Sequence, residues 1–170
     1  MENYRIIFMG SPKIASDYLQ VLVESNFNVI GVYTQPPRPK GRGLIMQNSY
    51  VHKEAIKNDI PVYHPINFND QKTLENFTRL NPDLVIVMAY GILLPNKIVN
   101  YPKFGCINIH VSLLPHWRGA SPIEYTLLNG DKKTGVTIFQ LVDKIDAGPI
   151  ISQDSMLVDE NWSKEELFKK

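Results

Sequence analysis

The stretch Cys106-Ile107-Asn108-Ile109-His110-Val111-Ser112-Leu113-Leu114-Pro115-His116-Trp117-Arg118-Gly119-Ala120-Ser121-Pro122 decides the fold. Its first seven residues alternate between two sets: Ile107, Ile109 and Val111 in one, Cys106, Asn108, His110 and Ser112 in the other. Period-two alternation in a β-branched run predicts a strand. The polar set offers an amide, an imidazole and a hydroxyl, with no charged residue of the kind that solvates an open face. Strand residues two apart lie roughly 6.6 Å from each other, so Asn108 and His110 can lean onto one small group of ligand atoms. Cys106 and His110 are about 13 Å apart by the same rise, too far to share a metal ion held at about 2.0–2.3 Å. At this level two readings stay open: satisfied polar residues on a partly exposed strand, or a reactive pair.

Leu113-Leu114-Pro115 ends the strand, and His116-Trp117-Arg118-Gly119 suits neither a regular strand nor a helix interior. Ser121-Pro122-Ile123-Glu124 predicts a helix start, with Ser121 as N-cap, Pro122 in the first helical position and Glu124 closing a capping box. A buried strand that runs through an irregular loop into a helix N-terminus is where open α/β sheets hold ligands. The run Asn-x-His-x-Ser-Leu-Leu-Pro-x-x-Arg-Gly, from Asn108 to Gly119, resembles the core signature of the folate-dependent formyltransferases. The resemblance extends over nearly the whole chain. It implies an α/β fold: a Rossmann-like open, mostly parallel twisted sheet with helices on both faces.

Composition agrees with a soluble globular domain. The chain has 170 residues, 44% hydrophobic and 21% charged, which predicts one domain with a real core. A net charge of +1 excludes a globally basic nucleic-acid binder, so any such contact must come from a local patch. One cysteine excludes an internal disulfide and fits a reducing compartment, hence the cytoplasm. No run of about 18 apolar residues predicts a membrane span. Met1-Glu2-Asn3-Tyr4-Arg5 leads straight toward a strand without a signal-peptide pattern.

Upstream, Ile6-Ile7-Phe8-Met9, the helical periodicity of Ile14 to Val23 and Val29-Ile30-Gly31-Val32-Tyr33 make a βαβ unit, predicting a parallel sheet. Gly10-Ser11-Pro12 is a tight turn rather than Gly-x-Gly-x-x-Gly, and no acid closes the second strand, so a nicotinamide dinucleotide site is poorly supported. Gln35 to Gln47 carries three prolines and two glycines between Gln35 and Gly43, which rules out helix or central strand. Its only charges are Arg38, Lys40 and Arg42, and no acid lies between Ser25 and Lys53. An exposed basic loop of this kind suits phosphate contact, or is a solvated connector. The loop resembles the Gln-Pro-x-Arg-Pro-x-Gly-Arg-Gly insertion of the tRNA-acting branch of the family. That resemblance implies contact of Arg38, Lys40 and Arg42 with a tRNA acceptor end.

Ser49 to Asn58 predicts a short helix, Ile60 to Pro65 a brief edge strand, and Asp70 to Leu80 a helix capped by Asp70. His52 and His64 have no polar companions nearby in sequence and read as surface residues. Leu84 to Gly91 is a continuous apolar run, the mark of a strand buried on both faces. By resemblance, Met88, Ala89, Tyr90, Gly91 and Ile92 line a pocket for the pterin ring of 10-formyltetrahydrofolate, with Ser112, Leu113, Leu114 and Pro115 also touching the folate. Thr134 to Leu141 predicts another strand, followed by a turn and the start of a further strand through Ile150. Asp143 and Asp146 in that turn are the candidate acids. The resemblance selects Asp146, which opens the family's Asp-x-Gly-x-Ile loop, although Lys144 stands where members often have glycine.

An amide, an imidazole and a carboxylate suit acyl-type transfer or hydrolysis. Asn108 can aim a non-titrating donor at an oxyanion, His110 can move protons, and Asp146 can orient His110. The resemblance makes this formyl transfer, from 10-formyltetrahydrofolate as co-substrate to the free amine of methionyl-initiator tRNA, by a monomer without metal or membrane. The same chemistry on glycinamide ribonucleotide or an amino sugar, hydrolysis of formyl-folate, and an inactive folate-binding fragment are the alternatives. Ser163-Lys164-Glu165-Glu166 opens a helix with four residues left, so the chain reads as a catalytic domain, 1–170, interrupted in mid-element. A separate C-terminal tRNA-binding domain is expected to be absent.

Overall fold

A computed structural model describes residues 3–170, so the Met1-Glu2 part of the expected lead-in lies outside the described residues. The chain forms two compact units, one ending at Cys106 and one running Ile107–Lys170. The first is α/β, with parallel strands in the order β5 (Val62–Tyr63), β2 (Val29–Tyr33), β1 (Ile6–Gly10), β6 (Leu84–Met88). Every residue of β1 is buried and β6 is buried from Val85 onward, as expected of continuous apolar runs flanked by neighbours. Each large side chain sequestered here, such as Ile7, Phe8 or Val85, contributes about 1.5–3 kcal/mol of transfer free energy.

Helix α1 (Lys13–Glu24) joins β1 to β2, burying Ala15, Ser16 and Leu19 on one stripe. Helix α2 (Tyr50–Lys57) starts at Ser49, whose hydroxyl accepts from the His52 N–H. Helix α3 (Gln71–Arg79) starts at Asp70, which accepts from the Thr73 N–H. Asp70 is the cap expected, and Ser49 acts in the same way, because a short polar side chain in extended backbone reaches the first-turn amides. Tyr33, Tyr63, Phe68 and Phe77 gather beside β2, with Tyr33 and Tyr63 stacked at 4.8 Å.

Two expectations change in this unit. The basic stretch is a two-stranded antiparallel ribbon of its own, β3 (Arg38–Lys40) against β4 (Ile45–Gln47). Proline is tolerated there because both strands are free edges. His52 and His64 are not independent surface residues. His52 Nδ1 and His64 Nε2 are 2.8 Å apart and the rings stack at 4.9 Å, both half-buried.

In the second unit, β7 (Cys106–His110, its first residue belonging to the other unit) pairs antiparallel with β8 (Lys133–Gln140). Strand β8 then pairs antiparallel with β9 (Ile150–Leu157). Helix α5 (Pro122–Leu128) lies between β7 and β8 in sequence; α4 (Asn96–Val99) precedes β7 and α6 (Lys164–Leu167) follows β9. The helix expected to open at Ser163 does so through a capping box between Ser163 and Glu166. The capping box expected at Ser121 and Glu124 does not form. Ser121 sits in the left-handed region at φ 60°, which turns its hydroxyl away from the α5 amides, and Glu124 is bound instead by Lys164 at 2.6 Å. Among the described residues no helix is long and apolar enough to cross a membrane.

Candidate active site

Strand β7 delivers the two polar side chains of the signature, and burial inverts the ordinary pattern. Cys106, His110 and the following Ser112 are buried, whereas Ile107, Ile109 and Val111 are only half-buried. A strand whose polar set is the more enclosed must satisfy those groups internally or keep them for a ligand. Burial pushes the Cys106 thiol up to about 12, leaving it protonated and inert as a nucleophile.

His110 is 7% exposed and its Nε2 lies 2.8 Å from the Trp117 carbonyl oxygen. A carbonyl can only accept, so Nε2 carries the hydrogen and Nδ1 of the neutral ring holds a free lone pair. Nδ1 is 3.7 Å from Asp146 Oδ2, with both side chains about nine-tenths buried. That distance suits a counter-ion and exceeds a hydrogen bond. The tautomer of His110 is therefore set by the Trp117 carbonyl, where Asp146 had been expected to set it. Asp146 Oδ2 is itself fixed by the Gly119 N–H, which donates at 2.6 Å.

The loop that supplies both groups is unusual backbone. Trp117, Gly119 and Ser121 all have positive φ, at 55°, 84° and 60°, as does Asp146 at 45°. For a bulky residue such as Trp117 that geometry costs roughly 1–2 kcal/mol. It is retained because the surrounding contacts over-determine it.

Asn108, two residues before His110 on β7, is half-buried. Its Oδ1 is enclosed and has no protein partner. A ligand donor would satisfy that oxygen, and rotation of the carboxamide would present an N–H to a ligand acceptor in the same place. The polar set thus fits a co-substrate bearing a carbonyl oxygen and an amide-like nitrogen.

Ser112 and Leu113-Leu114-Pro115 are held by two residues that sequence reading missed, Thr137 and Gln153. The Thr137 hydroxyl donates to the Ser112 carbonyl at 2.6 Å and accepts from the Leu114 N–H at 3.1 Å. Gln153 Nε2 bridges Thr137 Oγ1 and the Leu114 carbonyl, each at 2.9 Å. Ser112 itself donates to the His116 carbonyl at 2.6 Å, and Pro115 is exposed behind a cis Leu114–Pro115 bond. Nothing in the sequence singles out these two side chains on β8 and β9.

Within the first unit, Met88 ends β6 buried and the chain turns at Ala89 and Gly91, with φ of 46° and 76°. The Tyr90 carbonyl accepts from Gln35 Nε2 at 2.9 Å, and a Cβ on Gly91 would sit 2.3 Å from that same nitrogen. Tyr90 is buried with an unpartnered hydroxyl, Ile92 is half-buried, and Ala89 is exposed. Arg38, Lys40 and Arg42 are exposed on the β3–β4 ribbon, and none makes an ion pair among the described residues. No group of three or more candidate metal ligands occurs among the described residues.

An α/β fold with an amide and an imidazole on β7 and a carboxylate from a later loop beside the imidazole suits acyl-type transfer or hydrolysis, and comparison with known proteins narrows the class. The chain belongs to the family described as formyl transferase, whose sequence model matches residues 4–170. Its relatives include the methionyl-tRNA formyltransferases of Clostridioides difficile, 45% identical over 98% of this chain and 54% of that protein, and of Wolbachia from Drosophila simulans, 47% identical over 98% and 56%. The chain thus spans about half the length of these curated relatives. Among solved structures, phosphoribosylglycinamide formyltransferase from Streptococcus pneumoniae superposes with a TM-score of 0.79. It is 21% identical, covering 98% of this chain and 89% of that one. A formyltetrahydrofolate deformylase from Pseudomonas syringae gives 0.77 at 25% identity over 99% and 56%.

Proposed function

We propose that this chain carries the catalytic part of a methionyl-tRNA formyltransferase, moving the formyl group of 10-formyltetrahydrofolate to the free amine of methionyl-initiator tRNA in the cytoplasm. One observation carries the chemistry. Residues 107–170 alone hold an enclosed, unpartnered carboxamide oxygen at Asn108, a ring nitrogen with a free lone pair at His110 and a carboxylate 3.7 Å from it at Asp146. One chain supplies all three side chains, so the reading needs no second copy.

The folate supplies an activated formyl group at N10. Asn108 aims an amide N–H at the oxygen on which negative charge develops, a kind of donor worth on the order of 10²–10³ in rate. His110 takes the proton released by the attacking ammonium at Nδ1 and returns it to the leaving nitrogen. Exchange at Nδ1 leaves the Nε2 bond to Trp117 intact, so the ring keeps its orientation through the cycle. Asp146 faces Nδ1 and stabilises the imidazolium while it exists, its own carboxylate held still by Gly119. Ser112 to Pro115 are assigned to the folate.

The acceptor is argued from the ribbon. Arg38, Lys40 and Arg42 stand exposed on a stretch with no acid, which suits phosphates of a tRNA end. The test is formylation of charged initiator tRNA by this chain and by Arg42→Ala. Loss of one phosphate contact should raise KM for tRNA and reduce the salt slope of log KM by about 0.7–0.9, with folate binding unchanged. Equal turnover of glycinamide ribonucleotide, or an unchanged salt slope, would transfer the assignment to a small-amine enzyme.

A further inference from the structure

We propose that Trp117, Asp131 and Tyr125 form a strut that positions His110 through the Trp117 main chain. The inference rests on the catalytic role assigned to His110 and adds positioning residues to it. Trp117 is tied at both ends. Its indole N–H donates to Asp131 Oδ2 at 2.6 Å, and its ring stacks on Tyr125 of α5 at 5.4 Å with an interplanar angle of 10°. Asp131 is in turn held through Oδ1 by the Asn129 side chain at 2.6 Å and through its own N–H by the Thr126 carbonyl at 3.0 Å. The backbone of Trp117 is left-handed at φ 55°, a conformation a tryptophan does not keep unaided.

The consequence of holding it there is specific. The Trp117 carbonyl meets His110 Nε2 at 2.8 Å, and two residues on, the Gly119 N–H meets Asp146. One anchored loop therefore fixes both the tautomer of the imidazole and the placement of its counter-ion. The exposed Tyr125 stacked on one side of the indole and Asp131 bonded to its N–H together hold the ring in place. If the indole is released, the loop can relax toward right-handed backbone, the carbonyl swings off Nε2, and the ring is free to populate its Nδ1–H tautomer.

The test uses nitrogen-15 spectra of the histidine rings together with kinetics. In the parent protein, above about pH 8 where an imidazole is ordinarily neutral, His110 should show the Nε2–H tautomer signature. Trp117→Phe keeps the stacked ring and removes only the donor, Asp131→Ala removes the acceptor, and Asp131→Asn restores one. Trp117→Phe and Asp131→Ala should give mixed-tautomer His110 signals and lower kcat by up to about 100-fold with KM little changed, and Asp131→Asn should recover both. An unchanged Nε2–H signature in Trp117→Phe and Asp131→Ala would overturn the strut, whatever the kinetics. A disturbed tautomer with unchanged kcat would keep the strut and defeat the catalytic role of His110 instead.

Discussion

Gly148 sits between the carboxylate of Asp146 and strand β9, and replacing it with alanine tests whether that loop must lie where it does. A Cβ built on Gly148 falls 1.7 Å from the Gln140 backbone oxygen, where real Cβ atoms do not approach below 3.0 Å. The obstacle is main chain at the end of β8, itself bonded back to the loop by the Gln140 N–H to the Pro149 carbonyl at 3.0 Å. Neither side can rotate away, so the loop must move by roughly 1.3 Å. Overpacking of this size costs about 1–3 kcal/mol, and about 2 kcal/mol corresponds to a fall in Tm of roughly 4–8 °C for a chain of this length. The displacement reaches Asp146 two residues away, and misplacing a reacting constellation by about 1 Å costs on the order of 10² in rate. Thermal melting and a formyl-transfer assay read the two effects separately. A Gly148→Ala protein with the parent's Tm and kcat would refute the packing argument and with it the fixed placement of the carboxylate.

Two further outcomes follow from other parts of the molecule. Cys106, buried with its thiol pushed up to about 12, should resist iodoacetamide in the folded protein and react once denatured, as mass spectrometry would record; rapid labelling of the native chain would contradict its enclosure. Burial first, and the neighbouring His52 second, hold the His64 ring below the ordinary histidine value of 6.5. The unfolded chain then binds that proton more readily, so the stabilisation is full above 6.5 and is lost as pH falls from there toward the folded value. Melting curves between about pH 7 and about pH 5.5 should fall more steeply for the parent than for His64→Gln, and parallel curves would contradict the coupling.

The alternation in 106–112 was enough to read β7 and to single out Asn108 and His110, because a period of two is a property of the backbone itself. The continuous apolar runs of β1 and β6 declared buried strands on a different ground, since a strand covered on both faces has no polar side to alternate with. The Ser121 capping box failed because local pattern assumes extended backbone at the cap, whereas the loop holds Ser121 left-handed on its way from the bond between Gly119 and Asp146. Proline and glycine in 35–43 excluded a central strand but could not show that two short edges would pair with each other. His52 and His64 lie twelve positions apart, and no local signal pairs them. What fixes His110 was illegible for a deeper reason. The group is a main-chain carbonyl, which every residue possesses, and only the left-handed turn at Trp117 aims it.

Proton transfer by His110 during formyl transfer is the claim on which the rest depends, and single-turnover formylation of methionyl-initiator tRNA by His110→Ala tests it most directly. Removing a proton-transferring imidazole should slow the chemical step by about 10²–10⁴ while 10-formyltetrahydrofolate still binds. A variant that transfers the formyl group at the parent's rate would contradict the mechanism.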